Sequence, residues 1–92
     1  MTTYLMFGNY SMEGVKGIRA ERTEKALALV KQNGGKFKGG YALLGGVDIV
    51  LIIELPDNAT AMKTSTALSK LLGISFNTAP AVTVEEFDKL IG

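Results

Sequence analysis

Asp48 and Arg22 are the two charged residues placed where chemistry would need them. Asp48 follows the double glycine Gly45-Gly46 after one valine and stands directly before the apolar run Ile49 to Ile53. It reads in two ways. As a turn residue, its carboxylate accepts backbone N–H groups. As a functional group, it is a buried carboxylate facing Arg22, which would keep it ionised and fix its geometry. Arg22 lies four residues after Ile18 and four before Ala26, on the apolar stripe of a helical pattern. An arginine there snorkels to water, forms a structural salt bridge, or offers its planar fork to the carboxylate or phosphate of a small ligand. Tyr10 and Tyr41 supply hydroxyls near strand ends, and Asn9 and Asn77 supply amides. Together the six residues could line a small polar pocket; taken singly, each uncharged one is an ordinary strand-end residue with its hydrogen bonds satisfied. Glu54 and Asp57 read as a strand end and a helix cap.

The residues that are missing narrow the chemistry. The chain has no cysteine, no histidine and no tryptophan. Disulfides, thiolate catalysis, Cys/His zinc sites, a histidine general base and a haem held by histidine are all excluded. No metal site or cofactor is expected. "GGKFKGG" is glycine-rich and basic but lacks the Lys-Ser/Thr ending of a phosphate loop. A net charge of +1 argues neither for nucleic acid nor for a membrane surface. The strands also lack the paired aromatics that stack RNA bases. No apolar run approaches the roughly 18 residues of a membrane helix, and the start of the chain has no signal-peptide pattern. A cytoplasmic setting is expected. Charge is uneven: residues 1–38 carry seven Lys/Arg and three acids, residues 39–92 three and six.

These groups must be positioned by a single domain, because 92 residues leave no room for a second core. Residues 3–9 alternate as a strand and "SMEGVKG" turns. Residues 15–35 have helical periodicity, with Val15, Ile18, Ala26, Leu29 and Val30 in a stripe, a Glu21–Lys25 pair, and Gly34-Gly35 at the end. Residues 36–44 form a strand with Phe37, Gly39, Tyr41 and Leu43 on one face, and the Gly39-Gly40 pair suggests a bulge. Gly45-Gly46 makes a hairpin turn into a central strand, 47–55. A helix follows from an Asp57 or Asn58 cap to Gly73, with Ala61, Met62, Leu68 and Leu72 facing inward. A last strand ends at Pro80, and 83–92 closes as a short helix with a Thr83–Glu86 capping box.

The order βαββαβ plus a short C-terminal helix predicts an α+β, ferredoxin-like fold: a four-stranded antiparallel sheet with two helices on one face. The other face then has no cover. Either Tyr4, Met6, Val50 and Ile52 or Leu5, Phe7, Ile49 and Leu51 lie on it, and both sets are apolar. A patch like that is unusual on a monomer, and a second copy packed sheet to sheet is the simplest cover.

"GGKFKGGYALLGGVDIVLIIELPDNATA", with "YSMEGVKGI" and "ERTEKALALVKQNGGK" before it and "AVTVEEF" after it, resembles the GYD-domain family over residues 4 to 88. The resemblance implies a dimeric α+β barrel of ferredoxin-like fold and no particular reaction. The family's Gly-Tyr-Asp motif falls on Gly46, Val47 and Asp48, so its tyrosine is a valine here and a role resting on that phenol is lost. The family's arginine early in the first helix is carried by Arg22.

Three functions fit. The first is a homodimeric module, alone or in a larger assembly, that is structural or holds a small ligand, an anion among the candidates. The second is a cofactor-independent enzyme of the monooxygenase or isomerase type, with Asp48 as acid or base. The third is a regulatory domain like the amino-acid-binding modules of the same strand order. The partners expected are a second copy and a small ligand, not nucleic acid or membrane.

Overall fold

A computed structural model describes residues 1–92. The elements run β1 (Thr2–Tyr10), α1 (Met12–Lys16), α2 (Ala20–Gln32), β2 (Lys36–Ala42), β3 (Ile49–Leu55), α3 (Asn58–Leu72), β4 (Ile74–Ala81) and α4 (Val84–Ile91). The four strands form one sheet in the order β2-β3-β1-β4, every neighbouring pair antiparallel. This is the α+β, ferredoxin-like arrangement that the βαββαβ order predicts.

Register decides which residues the helices cover. Tyr4 stands opposite Ile53 and Met6 opposite Leu51, while Leu5 faces Ile52 and Phe7 faces Val50. Cross-strand partners share a face. The covered face therefore carries Tyr4, Met6, Leu51, Ile53 and Leu55, all buried. The open face carries Leu5, Phe7, Val50 and Ile52. Each four-residue set read from the sequence combined residues of opposite faces, because alternation within one strand says nothing about its phase against the next.

A bulge changes the face of Phe37. Phe37 pairs with Ile53 but Gly39 pairs with Ile52, so Lys38 is the extra residue. Phe37 turns to the helix side, while Gly39 and Tyr41, opposite Ile52 and Val50, stay on the open side, and Leu43 lies beyond the end of β2. The expected grouping of all four on one face fails for that reason. β4 continues through Pro80 to Ala81. A proline is tolerated there because β4 is an edge strand and a missing N–H on its outer side breaks no ladder bond.

The helices are set by their caps. The Asp57 side chain accepts from the Thr60 N–H at 2.8 Å, Gly73 closes α3 at φ +66°, and Thr83 accepts from the Glu86 N–H at 3.1 Å. The expected single helix over 15–35 is two. Ser11 caps α1 by accepting from the Gly14 N–H at 2.9 Å, Gly17 ends it, and α2 starts again at Ala20. Val15 and Ile18 consequently lie exposed instead of continuing the stripe. On α3 the inward residues are Ala61, Thr64, Leu68 and Leu72; Met62, expected inside, points to solvent. The positions 61, 64, 68 and 72 follow the 3.6-residue period, and residue 62 sits about 100° away from that line.

Candidate functional site

Between α2, α3 and the covered face of the sheet lies a cavity of about 80 Å³. Eleven of its fourteen lining residues are hydrophobic. Ala26, Leu27 and Val30 come from α2, Phe37, Ile49, Leu51 and Ile53 from the sheet, and Leu68 and Leu72 from α3. The bulge at Lys38 is what delivers Phe37 to this wall. The polar lining is Arg19, Arg22 and Thr23, all at the start of α2, and of these Arg22 lies over the Tyr10 ring.

Arg22 is half-buried on the helix stripe, as its position in the sequence predicts. Its guanidinium carbon lies 6.0 Å from the centre of the Tyr10 ring, a cation–π distance. It has no carboxylate within ion-pair distance; the ion pairs are Glu21–Lys25 and Glu85–Lys89, each 3.5 Å and exposed. The guanidinium occupies space that Gly17 leaves free, for a Cβ at residue 17 would stand 2.6 Å from Arg22 Nη1. The first turn of α2 has no side-chain cap. The positive end of the helix dipole and two arginines thus converge on one side of an apolar hole.

Asp48 does not pair with Arg22. Its carboxylate accepts the Tyr10 N–H at 2.9 Å, its own N–H donates to Gly8 O at 2.9 Å, and its carbonyl accepts from the Leu43 N–H at 2.8 Å. β1 runs past the start of β3, and the Asp48 side chain takes the place of the backbone carbonyl that a longer β3 would offer Tyr10. Asn9 fastens the same turn by donating its amide to Gly46 O at 2.9 Å. Gly46 and Asp48 are both tied to the end of β1, so these two residues act as a turn clamp.

The six candidate residues therefore do not form one pocket. Tyr10 and Arg22 lie together at the cavity, with Asp48 one hydrogen bond behind them. Asn9, Tyr41 and Asn77 lie on the open side of the sheet; Tyr41 faces Val50, and Asn77 faces Phe7. Arg19, Phe37 and Gly17 were not singled out from the sequence. A glycine inside the helical pattern, directly before Ile18, was the one available signal, and it marks Gly17.

A ferredoxin-like α+β domain, open on one sheet face and hollow beneath its second helix, is the class of protein these features define. The chain belongs to the GYD domain family, whose model matches residues 4–91. Among solved structures it is similar to the leucine response regulatory protein (LrpA) of Mycobacterium tuberculosis, with a TM-score of 0.60 and 6% identity. That similarity covers 90% of this chain and 51% of the other, so the chain spans about half that protein's length. No curated protein matches the chain. No helix is long and apolar enough to cross a membrane.

Proposed function

We propose that the protein is a homodimeric binding module that holds a small organic anion between α2 and the sheet, the anionic group on Arg22 and an apolar tail in the cavity. The observation that carries this reading is a half-buried guanidinium without a carboxylate partner at the polar end of an otherwise apolar hole. Burying a cation against apolar walls is costly unless something neutralises it, and a bidentate carboxylate is the partner its fork fits. Size limits the tail. A cavity of about 150 Å³ accepts benzene, so about 80 Å³ accepts a short or branched aliphatic group. The lining holds no carboxylate and Asp48 is engaged by Tyr10, so proton transfer in the cavity would fall to the Tyr10 phenol. That supports binding over catalysis.

Dimerisation rests on the open face. Leu5, Phe7, Val50 and Ile52 form an apolar centre, bordered by Tyr41 at 63% exposure. α4 flanks one corner of it, where Glu86 borders a hollow with Thr3 and Leu5, and leaves Phe7 38% exposed. A second copy face to face at about 10 Å would cover it.

Isovalerate and its uncharged amide, isovaleramide, test the anion reading by calorimetry. The carboxylate binds, the amide does not, and Arg22→Ala abolishes the difference. Equal binding of both, or of neither, overturns it. Light scattering at micromolar concentration tests the dimer; the mass of one chain overturns that part.

A second reading draws on the fold shared with the leucine response regulatory protein: a regulatory domain whose ligand sits at a subunit boundary. It requires that ligand change the mass of the assembly. In the first reading ligand leaves the mass unchanged.

A further inference from the structure

α4 has an apolar stripe with nothing packed on it. Val84, Phe87, Leu90 and Ile91 recur at helical spacing and are 76%, 53%, 74% and 73% exposed. Its other side is acidic, with Glu85, Glu86 and Asp88 against Lys89 alone. The opposite edge of the sheet is basic: β2 presents Lys36 and the bulge residue Lys38, both exposed and neither in an ion pair. Glu54 stands opposite Lys36 across the β2–β3 ladder without bonding it.

The sheet register relates these two features. Lys36 pairs with Glu54, Glu54 with Thr3, and Thr3 with Ala81. The four residues form one row across the open face, at one level along the strands. Lys36 is at one end of the row and Ala81, three residues before α4, is at the other. Within one chain the two ends are about 14 Å apart, three strand spacings. A two-fold axis parallel to the strands keeps that level and exchanges the edges. It sets the partner's Lys36 over Ala81, where α4 departs.

We propose that α4 is an exchanged arm: in the homodimer each α4 packs on the β2 edge of its partner, with Glu85 and Glu86 against the partner's Lys36 and Lys38. This rests on the homodimer of the preceding subsection and specifies its axis. Glu86 lies four residues before Leu90, at the border of the stripe, so one contact seats that border on the partner while Glu86 meets the lysines. It occurs twice by symmetry. The alternative axis, perpendicular to the strands, would place each acidic arm over the partner's β4 edge, which carries no basic residue.

The chain has no cysteine of its own, so an engineered disulfide reports the contact without ambiguity. A disulfide requires Cα atoms within about 7 Å, and a link inside one chain would leave the mass of a monomer, so only the contact with the partner gives a covalent dimer. The double variant Lys36→Cys/Glu86→Cys, mildly oxidised, is expected to run as a covalent dimer on a non-reducing gel, while each single variant does not. If the double variant is dimeric by light scattering yet remains unlinked, the arm is wrong and the dimer stands. If it is monomeric and the wild type is too, both fall. Charge exchange gives an independent reading. Lys36→Glu/Lys38→Glu is expected to weaken the dimer about tenfold at low salt, and adding Glu85→Lys/Glu86→Lys to restore it. No restoration contradicts the proposed pairing.

Discussion

The Tyr10 backbone N–H donates to Asp48 Oδ2 at 2.9 Å, which joins the end of β1 to the turn that opens β3. The bond serves two ends. It terminates the β1–β3 ladder, and it holds Tyr10 where its ring lies against Arg22. Asparagine retains one side-chain oxygen and can still accept from Tyr10. Asp48→Asn is therefore expected to cost at most about 1 kcal/mol, the loss of charge assistance. Asp48→Ala strands the N–H and is expected to cost about 1–3 kcal/mol. Urea unfolding midpoints check this ordering. If asparagine is as damaging as alanine, the carboxylate has a role that one accepting oxygen does not supply.

Gly17→Ala separates binding from stability. Its φ of −95° suits any residue, and alanine restricts the unfolded chain, so folding stability is expected to be unchanged or slightly raised. The new methyl would displace the Arg22 guanidinium, the far end of a flexible side chain. Affinity for a short carboxylate is expected to fall about tenfold, ~1.4 kcal/mol. Parallel calorimetry and thermal melts are the check, and full affinity in the alanine variant would mean that Arg22 is not the anion's partner.

Thr64 is wholly buried on α3, and its hydroxyl has no hydrogen-bond partner. Valine has the same shape without the polar atom and a similar helix propensity. Removing an unsatisfied buried group is favourable, so Thr64→Val is expected to raise stability by about 1 kcal/mol. A fall in the denaturation midpoint would contradict the missing partner.

Asp57 caps α3, and the Thr60 backbone N–H, aided by the Thr60 side chain, holds its carboxyl below the ordinary 3.8. A depressed folded-state pKa favours the ionised form. The contribution is thus fully present above about 3.8 and disappears as pH falls through the lower folded value. Asp57→Ala is expected to be less stable than wild type near neutrality, with the two converging below that pH. Denaturation at several pH values follows the gap. A gap that persists undiminished in strong acid would assign the effect to something other than the carboxylate.

Much of the fold was legible because local chemistry specifies it. Asp57, Thr83, Gly34 and Gly73 mark helix ends through their own hydrogen bonds and dihedral angles, and they lie where the sequence places them. The apolar run of β3 marks a covered strand. Arg22 was legible as an anomaly, a cation on an apolar stripe. Gly17 was harder to read, since one glycine within a periodic segment is compatible with a continuous helix, and only the folded chain shows α1 ending there and α2 restarting at Ala20.

The amino-acid sequence by itself determined the order of elements, their caps, and the presence of an uncovered apolar sheet face. These depend on interactions between residues a few positions apart, or on composition alone. Tertiary structure decided which face each strand presents, because register and the Lys38 bulge are properties of strand pairs. For the same reason it alone parted Tyr10 and Arg22 from Tyr41 and Asn77, which stand on other strands. A sheet is one residue thick, so side chains adjacent in sequence on β1 stand on opposite sides of it, and no count along the chain says which side holds the helices.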